Sequence, residues 1–274
     1  MGSTKSRRKR RVEQEARKGN LIIFLVVLVI LVMGGFFIKA IINKQDIDEA
    51  TNCPTDGTNY HKAILIDTSQ SYEPIQKNWI NNQLKQIVKD TKKHEKVSIY
   101  TVGANYHESL SPLQSKCNPG DPSGANPFTE NKEMLKEDWE NGFLEPLERK
   151  FNDLLENDAE GPSPIMEMVQ AISIAAFQNE KASTKKKLFI FSDMLQYSPV
   201  ADHYRDSLNF QKFSDSPEYL KVRTDLTGVT IRVLYIRRSG GEKFQKGTAH
   251  AKFWQEYFNS MGAEEGYSIK FGEG

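Results

Sequence analysis

Cysteine is nearly absent from this sequence: Cys53 and Cys117 are the only two among 274 residues, which excludes a scaffold built on disulfides. The five histidines, His61, His94, His107, His203 and His250, stand far apart with no H-x-x-x-H pair. No local metal signature of that kind is therefore written, and each histidine reads as a surface or solvated residue. Phosphate-cradling loops are missing too. Neither G-x-x-x-x-G-K-[ST] nor a strand-linked G-x-G-x-x-G occurs, so nucleotide binding has no support. Nor does a G-x-S-x-G elbow occur, which removes the usual nucleophile turn of Ser-His-Asp hydrolysis. An excess of one charge is lacking as well, since 37 Lys and Arg face 36 Asp and Glu for a formal net charge of +1. That balance hides an asymmetry. Residues 1–20 carry +6, which leaves −5 on the other 254 residues, and a mildly acidic body argues against a nucleic-acid-binding globule.

What is present begins with one long apolar run. Residues 21–38, LIIFLVVLVILVMGGFFI, hold no charged side chain, and Ala40, Ile41 and Ile42 extend them past Lys39. About 20 such residues in a helix cover the ~30 Å hydrocarbon core of a bilayer. The run is longer than the apolar part of a signal peptide, and no small-residue cleavage pattern follows it. Residues 21–42 are thus read as a retained transmembrane helix, residues 1–20 as a basic tail and 43–60 as a linker. Clustered Lys and Arg tend to stay in the cytoplasm. The expected topology is therefore a cytoplasmic N-terminus and a periplasmic or extracellular body over 61–272.

In that body, short apolar runs alternate with amphipathic stretches. Strands are expected at 62–67 (KAILID), 97–102, 188–193 (LFIFSD), 229–237 and 267–271, with helices near 72–93, 131–157, 164–180, 216–226 and 248–262. The uninterrupted AILI and LFIF cores suit central parallel strands covered on both faces. Ser163-Pro164 and Ser216-Pro217 each read as a hydroxyl N-cap followed by proline at the first helical position. The alternation predicts an α/β fold with a doubly wound, mostly parallel sheet flanked by helices. Ligands of such sheets bind beyond the carboxyl ends of the strands, here after Ile66, Phe191 and Ile236 and in the loop before Pro164.

Polar residues cluster at those places. Asp67-Thr68-Ser69-Gln70-Ser71 follows the first strand, Gly161-Pro162-Ser163-Pro164-Ile165 opens a helix, and Asp193 ends an apolar strand. This order of D-x-S-x-S, a Gly-x-Thr/Ser-Pro-hydrophobic loop and a strand-ending Asp resembles the von Willebrand factor type A (VWA) family over residues 61–272. The resemblance implies a metal-ion-dependent adhesion site (MIDAS). Ser69 and Ser71 would bind the ion directly, Asp67 directly or through water, Ser163 at the family's threonine position, and Asp193 through water. An oxygen-only shell with one open position selects Mg²⁺, Mn²⁺ or Ca²⁺ over zinc. The open position would take a carboxylate from a protein partner.

Placed on that fold, the strand at 97–102 rises toward the metal face, turns near Gly103 and is followed by a descending edge strand at 109–113. Cys117 then arrives at the opposite face, where Cys53 precedes the first strand, so a Cys53–Cys117 bridge is expected there, on the membrane-proximal side. The loop 194–213 leaves the metal face carrying Tyr197, His203, Tyr204 and Arg205, candidate partner contacts because aromatics and Arg anchor interfaces. It also carries Phe210 and Phe213. The alternative is that its aromatics pack onto the domain. The expected function is a non-enzymatic, membrane-anchored interaction domain with a divalent-metal adhesion site. A second reading is a part of an envelope secretion or conjugation machine with no essential metal. A metal-dependent phosphohydrolase is weaker, because Ser69 stands where a phosphoryl-transfer site of that kind carries its second Asp.

Overall fold

A computed structural model describes residues 3–42, 46–102, 111–125, 131–156, 161–206, 208–238, 241, 243–245, 247–264 and 268–272. The chain divides into two units, Met1–Asp46 and Ile47–Gly274. The first is one helix, α1 (Ser3–Ile42), in which the apolar run continues the basic tail without a break. Its segment Arg17–Lys39, 23 residues of mean hydropathy 3.3, is long and apolar enough to cross a membrane.

The second unit is a six-stranded sheet: β1 (Tyr60–Asp67), β2 (Lys96–Val102), β3 (Gln114–Cys117), β4 (Lys185–Ser192), β5 (Val229–Ile236) and β6 (Ser268–Gly272). The order is β3-β2-β1-β4-β5-β6. β3 runs antiparallel to β2 and every other pair is parallel. The α/β, doubly wound sheet expected from the sequence is thus present. Strand residues alternate between two core layers. Ala63 and Leu65 of β1 join Leu188 and Ile190 of β4 on one face, with α5 (Ile165–Ile172), α7 (Pro217–Val222) and α8 (Gly247–Ser260). Ile64 and Ile66 join Phe189 and Phe191 on the other, with α2 (Pro74–Lys89) and α4 (Glu145–Glu156). Burial on both faces is what makes these strands read as continuous apolar runs.

Several boundaries move. Residues 47–60, expected as linker, belong to the compact unit: Ile47 bridges to Pro54, and the Cys117 N–H donates to Thr51 at 2.8 Å. Of the edge strand expected at 109–113, residues 109 and 110 lie outside the described residues and 111–113 are not in a strand; the edge strand described is Gln114–Cys117, whose register sets Cys117 opposite Lys96 and Gln114 opposite Ile99. The turn near Gly103 lies outside the described residues. The helix expected at 131–157 is interrupted between α3 (Lys132–Trp139) and α4 by a π-helical turn, Glu140–Leu144, that buries Phe143. A short extra helix, α6 (Phe210–Ser214), forms within the loop after β4. α7 stops at Val222, where Arg223 turns extended.

Cys53 and Cys117 are disulfide-bonded, with Cα atoms 4.8 Å apart and a sequence separation of 64. A loop of that length restricts the unfolded chain by an amount worth about 4 kcal/mol. The bridge sits where β2 begins, at the opposite end of the sheet from Asp67.

Candidate functional site

Strand order reverses at β1, which has β2 on one side and β4 on the other. The crevice beyond the carboxyl ends of β1 and β4 is therefore the expected ligand position. Asp67, the last residue of β1, lies at its base and is fully buried. Its Oδ1 accepts the Ser69 N–H at 3.1 Å, and its Oδ2 accepts the hydroxyls of Ser163 at 3.0 Å and Ser192 at 2.6 Å. The Tyr72 hydroxyl donates to the Asp67 carbonyl. Three segments distant in sequence thus converge on one carboxylate.

Ser163 is not the N-cap of α5. Its hydroxyl serves Asp67, and Pro164 occupies the cap position. The free N–H of Met166 in the first turn is accepted instead by Gln196 Oε1 at 3.0 Å. At the other proline start, Ser216 does occupy the N-cap, but its hydroxyl turns back to the Phe213 carbonyl at 2.6 Å.

Asp193, one residue past β4, is also buried. Its Oδ1 accepts the Leu195 N–H at 2.9 Å and its Oδ2 pairs with Arg238 Nε at 3.1 Å. Burial, then the nearby Asp67 charge, push the Asp193 carboxyl up to about 6 against the pull of Arg238. The Arg238 guanidinium also donates to the carbonyls of Ser71 and Gln70 and lies over the Tyr72 ring, 4.6 Å from its centroid. Gln245 braces this arm: its Oε1 accepts the Arg238 N–H at 2.9 Å while its Nε2 donates to the Asp193 carbonyl at 3.1 Å. Arg238, Ser192, Tyr72 and Gln245 were all missed in the sequence. Arg238 carried a readable signal, since it stands two residues beyond Ile236, at a strand end already singled out.

Ser69 and Arg238, the partners of the two carboxylates, line an open cavity of 580 Å³ together with Ser71, Gly161, Tyr197 and Tyr204, whereas Asp67, Ser163 and Asp193 do not reach its wall. Tyr197 is held there by backbone pairing with Ser163, and its ring meets Tyr204 edge-on at 6.0 Å. Tyr204 accepts from Gln70 Nε2 at 3.3 Å. Arg205 is exposed and pairs loosely with Asp202 at 3.6 Å. Phe210 and Phe213 pack against the core, as the alternative for this loop allowed.

His203 is not at this mouth, contrary to the expectation that grouped it with Tyr204 and Arg205. It is buried, as are His61 and His250, so the reading of every histidine as solvated fails for these three. His203 Nδ1 lies 3.1 Å from His250 Nε2, and His250 Nδ1 lies 2.6 Å from the Tyr235 hydroxyl. Burial, and for His203 also the neighbouring His250, depress the two to about 3 and about 4 respectively. Both folded values lie below the ordinary 6.5, so these groups contribute stability that is full above pH 6.5 and is lost as pH falls toward 4. Urea unfolding at pH 7.5 and pH 5.5 is expected to differ by about 2–3 kcal/mol on their account. Protonation of the raised Asp193 offsets up to about 1 kcal/mol of that. The histidine contribution to that fall should be roughly halved in a His203→Phe chain.

The donor chemistry fits a hard cation in part. Ser69, Ser71 and Ser163 hydroxyls and the Asp67 carboxylate supply oxygen only, as Mg²⁺ prefers. Among the described residues no three His, Cys, Asp or Glu side chains cluster, so such a site would depend on its hydroxyls. Asp193, expected one water from the ion, already has a cation in Arg238.

No family model and no curated protein matches the sequence. Solved structures with a similar path include the VWA domain of SpRpn10, 11% identical, covering 79% of this chain and 90% of that one at a TM-score of 0.39. Proximal thread matrix protein 1 from the mussel byssus, in a form with a zinc-occupied MIDAS motif, is 12% identical and covers 79% of this chain at a TM-score of 0.38, this chain spanning 42% of its length. An aerotolerance-related membrane protein from Bacteroides fragilis is 12% identical, covering 77% of this chain and 90% of that one at a TM-score of 0.32. These overlaps are too slight to bear on function, which rests on the strand-end site itself.

Proposed function

We propose that this chain is a membrane-anchored, VWA-like interaction domain that binds a protein partner at the carboxyl end of β1 and β4, through a divalent cation meeting an acidic side chain of that partner. The N-terminal tail lies in the cytoplasm and the second unit on the exported side, as the basic cluster before the apolar run favours. One observation carries the reading: Asp67, Ser69, Ser163 and Asp193 are drawn together from three distant segments beneath a cavity that Ser69, Ser71, Tyr197 and Tyr204 line. Mg²⁺ or Mn²⁺ held by Asp67, Ser69, Ser71 and Ser163 would supply a positive centre for the partner's carboxylate, and Tyr197, 47% exposed, would supply apolar contact beside it. The role is binding, not catalysis. Ser69 stands where the rival phosphoryl-transfer reading needs a second carboxylate.

Calorimetric titration of the full chain in neutral detergent with Mg²⁺ and Mn²⁺ tests this. Saturable binding is expected, weakened at least tenfold by Ser69→Ala. Absence of binding would move the weight to a second reading, a metal-free structural part of an envelope machine. That reading is favoured by the Arg238 guanidinium, which already supplies Asp193 with a positive partner.

A further inference from the structure

At the opposite end of the sheet, the face that packs on α2 ends in a row of cations. On this face β1 reads Lys62, Ile64, Ile66, β4 reads Lys187, Phe189, Phe191, and β5 reads Arg232, Leu234, Ile236. Lys270 of β6 continues the row. In each of the first three strands, the residue two places before the buried apolar pair is Lys or Arg. The register sets Lys62 directly beside Lys187 and places Arg232 opposite Phe189, diagonal to Lys187. Lys270, opposite Leu234, is diagonal to Arg232. Four adjacent strands thus each contribute one positive charge, across about 14 Å at ~4.8 Å per strand.

Like charges on neighbouring strands destabilise a sheet, and here Lys62 is offset while the other three are not. The buried Lys62 ammonium pairs with Glu95 at 3.0 Å and donates to the Asp90 carbonyl at 2.9 Å and the Thr91 hydroxyl at 3.0 Å, whereas Lys270 donates to the neutral Gln83 amide at 2.9 Å. Among the described residues no carboxylate forms an ion pair with Lys187, Arg232 or Lys270. Burial and the charges of Arg232 and Lys62 push the Lys187 ammonium down. All four side chains line one cavity of 570 Å³, whose floor includes Phe189 and Leu234 and whose rim adds Lys92 and Lys185 against Asp90 and Glu95. The unit that holds this cavity is otherwise acidic on balance.

We propose that this cavity binds a multiply charged, phosphate-bearing anion, independently of the strand-end site described above. Lysine and arginine are both phosphate-binding side chains, and Lys187, Arg232 and Lys270, three cations without an ion pair among the described residues, match several phosphates better than one. An acidic peptide suits the place less well, because extended peptides pair with sheet edges and this row crosses the middle of a face.

The test uses the full chain in neutral detergent. Tripolyphosphate should bind saturably, at least tenfold more tightly than orthophosphate, and should weaken at least tenfold both in 0.5 M NaCl and in Lys187→Gln/Arg232→Gln. Short-chain phosphatidylinositol bisphosphate below its micellar concentration, beside the matching phosphatidylcholine, identifies the source. Binding of the former but not of tripolyphosphate assigns the phosphate to a lipid headgroup, and the reverse to a soluble anion. Removing like charges should leave thermal stability unchanged or higher. Should the double variant misfold, Lys270→Gln at an exposed position gives the same comparison. The proposal is overturned if neither phosphate compound binds, if the variants bind as wild type does, or if polyglutamate binds more tightly than tripolyphosphate.

Discussion

Replacing Asp67 with alanine is expected to cost about 3–5 kcal/mol of stability and to abolish any divalent-cation uptake at the strand-end site. The cost comes from donors left behind. The Ser69 N–H and the Ser163 and Ser192 hydroxyls all end on this one buried carboxylate, and each buried donor left unsatisfied costs about 1–3 kcal/mol. The hydroxyls can rotate toward other acceptors, so the sum falls short of three full penalties. Relief of Asp193 works in the opposite direction, because the Asp67 charge is the second cause holding that carboxyl up near 6. Asp67→Asn keeps the shape and one acceptor oxygen and should lose less, about 1–2 kcal/mol. Urea unfolding followed by circular dichroism measures both. A loss under about 1 kcal/mol in Asp67→Ala would mean that the carboxylate is not the hub of the crevice.

Arg238→Gln should have an effect of similar size for a different reason. Arg238 and Asp193 are both buried and paired at 3.1 Å, and removing one member of a buried pair typically costs 3–5 kcal/mol, roughly the penalty of the charge left alone. Loss of the donors to the Ser71 and Gln70 carbonyls adds to this by loosening the loop that carries Ser69 and Ser71. The variant also separates the two functional readings. If a divalent cation and the guanidinium serve the same carboxylates, Mg²⁺ at 100 times its dissociation constant should return about 2.7 kcal/mol to the variant. Failure of Mg²⁺ to raise the variant's unfolding midpoint, together with a wild type indifferent to chelator, would favour the metal-free structural role. Thermal unfolding of four samples, each chain with Mg²⁺ or with chelator, reads out every case.

Much of the site was legible because motif residues adjoin strand ends. Asp67 ends β1 and Asp193 follows β4 by one residue, so once AILI and LFIF are recognised as buried strands, both carboxylates are placed at the same edge of the sheet. Ser163 was found by its motif and misread in its local role: a serine before proline reads as a helix cap, and only the presence of Asp67 across the crevice directs the hydroxyl elsewhere. His203 shows the same limit. It lies next to Tyr204, yet one residue faces a buried cluster of His250, Phe253 and Trp254 and the other a solvent-filled mouth, a difference that no local pattern in the loop encodes.

The amino-acid sequence by itself determined the apolar helix, the alternating α/β order, the two cysteines available to pair and the carboxylates at the strand ends, because each of these follows from hydrophobic periodicity or from residues close together in the chain. Only the tertiary structure decided that Ser192 and Ser163 share Asp67, that Arg238 neutralises Asp193, that two histidines meet in the core, and that Lys62, Lys187, Arg232 and Lys270 line up across four strands. Each of these depends on register and on contacts between residues from 36 to 125 apart in sequence. Such contacts exist only after the loops between them have closed, and loop closure is a property of the whole chain rather than of any segment in it.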